Sequence, residues 1–261
     1  MKVEKKKKKE SFLSHLEDLR WHLTRSVISI VVGTVIAFLN KGFLFDKIIF
    51  ACKENSFPTY VFLCGISESL CIKDMPFILM NIEMTGQFTM HILVSFVTGF
   101  ILAFPYVLFE MWLFISPAMY KSEKRNSILL FLFAFCLFII GIIFAYYVIV
   151  PFSINFLSSY SISSEITNKI HFISFIQTTT KIILTTGLLF QLPVVIYFLT
   201  KFNLVTFRQL KQYRRHAFVV ILIIASILTP PDVFSQILIG LPIFMLYEFS
   251  IFISRLMSPK S

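Results

Sequence analysis

The chain has 261 residues, of which 57% are hydrophobic and only 15% are charged, and its mean hydropathy is +0.81. A soluble domain of this size cannot cover so much apolar surface with so few charges, so the composition excludes a soluble protein and predicts a membrane protein. The net charge of +10 would indicate nucleic-acid binding in a soluble protein. Here the basic residues cluster in particular loops, which indicates membrane topology and predicts no nucleic-acid partner.

Six apolar segments follow one another along the chain. The second, third and fourth are long enough to cross a hydrocarbon core, which takes about 20 helical residues. The fifth has 13 residues, which form about 20 Å of helix, so we expect the bilayer to thin around it. The predicted fold is an all-α polytopic membrane protein with spans at about residues 23–39, 88–109, 128–150, 172–199, 217–229 and 233–253.

The distribution of Lys and Arg predicts the orientation of these spans. Eighteen of the 24 lie in residues 1–25, 117–126, 201–215 and the C-terminal tail, whereas five lie in residues 41–87 and 151–173. Cytoplasmic loops carry such an excess of positive charge, so we expect both termini in the cytoplasm. The predicted organisation is a basic tail and amphipathic surface helix at 1–25, a six-span membrane domain at 26–254 with an exported loop at about 41–87, and a cytoplasmic tail at 255–261.

The exported loop is mildly apolar and contains three of the four cysteines. We expect short helices that lie along the outer leaflet. Cys64 and Cys71 could form a disulfide on an oxidising side of the membrane, and Cys52 is the third cysteine of the loop. Because the count is odd, three free or buried thiols are an equally open interpretation. No spacing resembles a metal site, and no cofactor is predicted.

An amphipathic helix is predicted immediately before the first span, because Phe12, Leu16, Leu19 and Leu23 recur at helical spacing. Ser14 and Glu17 have the spacing of a capping box, which leaves Asp18 as the free carboxylate. In one interpretation Asp18 belongs to a solvated face and pairs with His22 or Arg25. In the other, Asp18 is available to a partner.

The loop after the second span is basic and carries one carboxylate. Residues 114–125 read Phe-Ile-Ser-Pro-Ala-Met-Tyr-Lys-Ser-Glu-Lys-Arg, and the carboxylate is Glu123. Its simplest interpretation is a local salt bridge, which is worth little at an exposed site.

Two further segments place polar groups beside prolines. Gln191 precedes Pro193 inside the fourth span, where an amide is expected to face the protein interior and form a hydrogen bond. Residues 228–236 read Leu-Thr-Pro-Pro-Asp-Val-Phe-Ser-Gln, and the two prolines prevent a continuous helix. Asp232 is expected to cap the sixth helix. Gln236 lies one turn later and would face inward with it.

These four segments together resemble the TatC subunit of the twin-arginine (Sec-independent) protein translocase. Residues 15–20, His-Leu-Glu-Asp-Leu-Arg, resemble the family motif His-Leu-x-Glu-Leu-Arg, with Asp18 at the glutamate and Arg20 at the arginine. Residues 114–125 match the family pattern Phe-Ile-x-Pro-Ala-x-Tyr-x-x-Glu-[Lys/Arg]-Arg. The chain departs from the family at Gln191, where TatC proteins typically have a glutamate. The resemblance implies a cupped six-helix bundle. Helix bends at prolines 105, 193 and 242 would suit this shape.

The resemblance also implies a function. The chain would be the core receptor subunit that binds twin-arginine signal peptides and supports gradient-driven transport of folded proteins across the bacterial plasma (inner) membrane. The implied partners are small single-span subunits of the TatA/TatB type, within a homo-oligomer or multi-subunit complex. The implied signal-peptide site comprises Asp18, Arg20, Phe114 and Glu123, and the partner-subunit or structural polar positions are Gln191, Asp232 and Gln236.

Two other classes fit the sequence less well. A proton-relay transporter needs several interior charges, and the candidates are Glu110 and Lys181, with Gln191 uncharged. An intramembrane hydrolase needs a nucleophile with a partnered histidine or a His-Glu-x-x-His helix, and the sequence has neither. The sequence therefore predicts no enzyme activity.

Overall fold

The computed structural model describes residues 12–66, 77–116, 121–159, 169–228 and 233–257. Helices account for nearly all of it, which confirms the predicted all-α class. In chain order the elements are α1 (Phe12–Leu39), a π-helix (Phe43–Ile49), a 3-10 helix (Phe50–Lys53), α2 (Pro58–Ile66), β1 (Ile78–Met80), α3 (Gly86–Ile115), α4 (Lys121–Phe144), a second π-helix (Ala145–Ile149), α5 (Val150–Ser159), β2 (Lys169–His171), α6 (Phe172–Leu189), α7 (Leu192–Lys201), α8 (Phe207–Gln212), α9 (Arg214–Leu228) and α10 (Val233–Met257).

Six helical segments correspond to the six predicted spans. Within the described residues, five are long and apolar enough to cross a bilayer. The other is α9, whose 15 residues form about 22 Å of helix and correspond to the short fifth span. The five long segments are Leu16–Leu39, Gly86–Ile115, Ile128–Ser159, Phe172–Lys201 and Gln236–Leu256.

Helix α1 runs without a break from the predicted surface segment into the first span. Ser14 therefore lies inside the helix, and the predicted capping box that begins at Ser14 is wrong. Glu17 Oε1 instead lies 3.9 Å from Arg20 Nη2, and both side chains are exposed. Because one rigid helix carries both parts, Asp18 has a fixed position relative to the first span.

Helices α1 and α3 pack closely because glycines face each other. A Cβ atom on Gly33 would lie 2.7 Å from the carbonyl oxygen of Gly99, and one on Gly99 would overlap the Thr34 backbone. Small residues at facing positions permit this close approach between membrane helices. The contact aligns α3 with α1 and so fixes which side chains meet at the ends of the two helices.

Proline interrupts one span and is accommodated within two others. Helix α6 ends at Leu189 and α7 begins at Leu192, with Pro193 in the first turn of α7. Pro105 and Pro242 lie inside α3 and α10, which stay helical through them. A proline lacks the amide hydrogen that a helix interior requires, which accounts for the break beside Gln191.

The segment between the first two spans contains the predicted short helices and one strand that was not predicted. Strand β1 pairs in parallel with β2, with Leu79 opposite Ile170. A three-residue strand has too short an alternation of polar and apolar residues to be recognised in a sequence. The Tyr146 hydroxyl donates to the Ile48 carbonyl at 2.8 Å and ties this segment to the third span. We call this end of the bundle, with β1 and β2, the loop end.

The cysteines of this segment differ in state. Cys64 is disulfide-bonded, whereas Cys52 is free and fully buried. Cys71, the predicted disulfide partner of Cys64, lies outside the described residues. Burial raises the pKa of the Cys52 thiol to about 12, so this thiol stays neutral near pH 7. The tyrosine hydroxyl of Tyr60 donates to the Cys52 carbonyl at 3.1 Å and closes the segment over it.

Candidate functional site

Asp18 lies in an open cleft on the N-terminal part of α1. The cleft has a volume of about 400 Å³ and is lined by Asp18, Trp21, His22 and Arg25. Asp18 is exposed, and it forms no ion pair within the described residues. The cleft therefore combines an available carboxylate with an aromatic wall and one cation.

His22 connects this cleft to α3. Its Nδ1 atom lies 2.5 Å from Oε2 of Glu110, and the Tyr106 hydroxyl donates to Oε1 of Glu110 at 2.7 Å. The Glu110 side chain is buried, with 2% of its residue surface exposed. A carboxylate buried in an apolar span is costly unless both oxygens have partners, and here each oxygen has one.

The same histidine contacts Phe114. The two ring centroids are 6.1 Å apart, and the rings meet edge to face at 64°. His22 therefore touches Glu110 and Phe114, one turn apart on α3, while it lines the cleft that contains Asp18. The structure thus brings Asp18 and Phe114, which are far apart in the sequence, to one end of the bundle. We call Asp18, His22, Glu110 and Phe114 the α1–α3 site.

His22 and Glu110 were not predicted as site residues. The sequence contained one indication, because a glutamate inside an apolar span needs a cation or a donor nearby. That rule gives no way to choose His22, which is 88 residues away. The partner becomes evident only when the glycine contact between α1 and α3 sets their alignment.

The other two residues predicted for signal-peptide binding have different positions. Arg20 is exposed beside Glu17 and is not among the residues that line the cleft. Glu123 is the third residue of α4, and its side chain lies outside the described residues. Five residues, 116–120, separate α3 from α4. The first turn of α4 is therefore at the same end of the bundle as Phe114.

Gln191 lies at the break between α6 and α7. Its Nε2 atom donates to the Ala134 carbonyl at 2.9 Å, which joins this span to α4. It also lines an apolar cavity of about 390 Å³ together with Trp112 and Val195. The indole Nε1 of Trp112 is buried and has no hydrogen-bond partner within the described part of the chain.

The turn between α9 and α10 is described only in part. Asp232 lies outside the described residues. Gln236 donates from Nε2 to the Leu222 carbonyl at 3.0 Å and joins α10 to α9. This hydrogen bond gives Gln236 a structural role in the hairpin.

Metal chemistry has no support in the described ranges. No group of three or more His, Cys, Asp or Glu side chains there is arranged to hold a metal ion. The polar groups instead connect helices or face an open cleft.

These features define a polytopic, predominantly helical membrane protein with a polar site at the end of a helix pair. A family profile described as Sec-independent protein translocase protein (TatC) matches residues 14–242. The chain belongs to the TatC family, and it is therefore a transport component rather than an enzyme.

Curated relatives agree with this assignment over nearly the whole chain. The chain is 36% identical over 265 residues to the Sec-independent protein translocase protein TatC of Blattabacterium sp. subsp. Periplaneta americana, with 99% of this chain and 100% of the relative covered. It is 34% identical over 245 residues to the protein of the same name from Helicobacter pylori, with 93% and 89% covered.

Solved structures show the same fold. A crystal structure of the twin arginine translocase receptor TatC in DDM superposes with a TM-score of 0.74 at 31% identity, and covers 92% of this chain and 99% of that one. A second crystal structure of the receptor superposes with a TM-score of 0.72 at 30% identity, and covers 93% and 98%. The predicted family and the six-helix polytopic fold are confirmed.

Proposed function

We propose that this chain is the core receptor subunit of a twin-arginine translocase and that it binds twin-arginine signal peptides at the α1–α3 site. Family membership supports the general role in protein translocation. The binding site rests on the geometry of the described residues.

One observation carries the proposal: His22 holds the Asp18 cleft against Phe114. A guanidinium binds best to a carboxylate in bidentate geometry, and it also stacks on aromatic rings. Asp18 offers the carboxylate, while Trp21 and Phe114 offer aromatic surface within the same region. The arrangement suits an arginine side chain better than a lysine, because a lysine forms neither a bidentate pair nor a planar stack.

A second carboxylate would serve the second arginine of the motif. Glu123 is the candidate, because the first turn of α4 follows α3 after five residues. Charge-assisted hydrogen bonds contribute roughly 1.5–3 kcal/mol each when partly desolvated. Two such pairs explain how a short motif would be selected at a membrane surface.

The remaining predictions complete the proposed system. Both termini and the α1–α3 site would face the cytoplasm of the bacterial plasma membrane, since the basic residues lie at that end. The apolar cavity beside Gln191 would receive small single-span subunits of the TatA/TatB type. Those subunits would form the passage within a multi-subunit complex, and the membrane gradient would drive transport, as the family implies. Asp232 and Gln236 would shape the hairpin between α9 and α10.

Site-specific photo-crosslinking tests the proposal. A photoreactive residue would be placed at 18 or 123 in membranes that contain the full chain. Position 65, in the α2 helix between the first two spans, would be the control. The substrate would carry a twin-arginine signal peptide, and a twin-lysine version would be the specificity control. We expect crosslinks at 18 and 123 to the twin-arginine form alone. Absence of crosslinks from correctly inserted protein, or equal crosslinks to both peptides, would refute the proposed site.

A further inference from the structure

Lys181 is the exception to the distribution of basic residues. Of the 24 Lys and Arg residues, it is the one that lies outside the basic and exported ranges counted above. It is inside α6, within the apolar segment Phe172–Lys201. A charged side chain inside a membrane span is costly and usually has a function.

The depth of Lys181 in α6 makes it difficult for the ammonium group to reach the membrane surface. It lies nine residues after Phe172, which corresponds to about 14 Å along the helix axis. Its side chain is exposed on the outside of the bundle, while its neighbours Thr180 and Ile182 are buried. A lysine can extend its ammonium group toward an interface, but this adjustment is most effective near helix ends.

The chain itself offers no carboxylate to Lys181 within the described ranges. Glu110 is bound by His22 and Tyr106, and Glu248 is paired with Arg214 on α9. No ion pair to Lys181 is formed by any described residue. No described residue therefore supplies a counter-charge to Lys181.

The surface around Lys181 has the shape of a helix contact. Lys181, Leu188 and Val195 follow one another at intervals of seven residues, and Leu188 and Val195 are 42% and 50% exposed. Within α6, exposed positions at this spacing lie on one face that a second helix can follow, and Val195 lies beyond the break, in the first half of α7. Val195 also lines the cavity that contains Gln191. The line therefore leads from a half-buried amide to an exposed cation, and we call these three residues, two on α6 and one on α7, the α6 line.

We propose that the α6 line binds a single-span partner helix that carries a carboxylate at the depth of Lys181. This inference rests on the proposed function, which supplies the single-span partners. It adds that such a partner carries a carboxylate inside the membrane. In a low-dielectric environment, an ammonium and a carboxylate attract each other strongly, and each removes the cost of the other's burial. The apolar residues of the line would then pack against the rest of the partner helix.

Synthetic helices test this chemistry without a signal peptide. The full chain would be reconstituted in phosphatidylcholine vesicles with one of three fluorescent Leu/Ala-rich spanning peptides. The peptides would be identical except for Glu, Gln or Lys at the depth of Lys181. Binding would be measured by energy transfer to a label on the chain. We expect the Glu peptide to bind about tenfold more tightly than the Gln peptide, and the Lys peptide to bind least.

Three variants make the result specific. Lys181→Met should remove the preference for the Glu peptide, and Lys181→Glu should transfer the preference to the Lys peptide. Lys169→Met removes an exposed lysine just before α6 and should leave the preference unchanged. A folding defect would weaken the binding of all three peptides alike, so it cannot produce the reversed preference expected in Lys181→Glu.

Equal binding of the Glu and Gln peptides to the unmodified chain would overturn the proposal. If Lys181→Met then reduced the retention of anionic lipid, the counter-charge of Lys181 would be a lipid phosphate and not a partner helix. Failure of the signal-peptide crosslinks at positions 18 and 123 would leave this result untouched, because the peptide assay does not involve the α1–α3 site. The two proposals can therefore fail separately.

Discussion

The Nδ1 atom of His22 lies 2.5 Å from Oε2 of Glu110, and this pair joins α1 to α3 at the end where Asp18 and Phe114 meet. The carboxylate is buried, whereas the histidine also lines the open cleft. The pair therefore connects the packed interior to the surface proposed to bind a signal peptide. Any change that separates the two residues should affect both the fold and the binding site.

Replacement of Glu110 should destabilise the protein and weaken signal-peptide binding. In Glu110→Leu, His22 loses the partner that positions it, and the α1–α3 site loses its alignment. Loss of one member of a buried pair is strongly destabilising, so we expect the unfolding midpoint in detergent to fall by roughly 5 °C or more. Glu110→Gln keeps an acceptor for Tyr106 and should have a smaller effect.

Glu83→Gln is the matched control for this experiment, because Glu83 is an exposed carboxylate in a loop. It should leave the midpoint and the binding unchanged. An unchanged midpoint in Glu110→Leu would show that the His22 contact does not hold the two helices together.

The glycine contact between α1 and α3 should be equally sensitive. In Gly33→Leu, the new side chain has no space, since even its Cβ atom would lie 2.7 Å from the Gly99 carbonyl oxygen. We expect the helices to separate, with a midpoint lower by several degrees and loss of the signal-peptide crosslinks. Gly65→Leu is the control, because a Cβ atom on Gly65 would meet nothing within 4 Å. Equal midpoints for the two variants would contradict the packing described here.

The spans were predictable because their lengths depend on simple physics. The second, third, fourth and sixth predicted spans begin within two residues of an observed helix or candidate span, since apolar length decides what crosses a bilayer. The start of α1 was placed wrongly in one respect. The capping-box spacing at Ser14 suggested a helix start, but the helix already includes Phe12.

The site was only partly predictable, for a different reason. Asp18 and Phe114 could be proposed as site residues because they occupy positions of recognisable motifs. Their contact through His22 depends on the alignment of two helices, and no local pattern in either helix contains that alignment. The hydrogen bond from Gln191 was expected, whereas its acceptor, the Ala134 carbonyl, could not be chosen among the many carbonyls of the neighbouring spans.

Stability should fall at alkaline pH because of Cys52. Burial raises the pKa of this thiol from its ordinary value of about 9 to about 12. Between these two values the unfolded chain releases a proton that the folded chain retains, so the free energy of unfolding decreases as pH rises. The contribution is complete below pH 9 and is lost as pH approaches 12.

Cys52→Ser isolates this contribution, since a hydroxyl of similar size does not titrate in the range. We expect the unfolding midpoint of the native chain to decline more steeply between pH 9 and pH 11 than that of the variant. The comparison also removes the effect of Tyr60, whose pKa burial raises as well. Parallel declines would mean that the Cys52 thiol is accessible to water.

Gln191→Glu should destabilise the contact between α4 and the break that separates α6 from α7, although a glutamate is typical of the family at this position. The amide donates to the Ala134 carbonyl, whereas an ionised carboxylate can only accept and would face that carbonyl with like partial charge. We expect a lower midpoint for Gln191→Glu at pH 8 than at pH 5, where a protonated carboxyl can again donate. Gln191→Leu should be destabilised equally at both pH values, and the same result for Gln191→Glu would exclude this explanation.

Glu123→Lys should abolish signal-peptide binding and leave membrane insertion intact. Glu123 lies in the first turn of α4, outside the apolar part of that span, so a lysine there does not oppose insertion. It would repel the arginines of the peptide and remove the second carboxylate of the proposed pair. Binding of a fluorescent twin-arginine peptide to the reconstituted chain gives the measurement. Glu54→Lys, in the segment between the first two spans, is the control because it makes the same charge reversal away from the proposed site. Retained binding in Glu123→Lys would exclude Glu123 as the second carboxylate of the proposed pair.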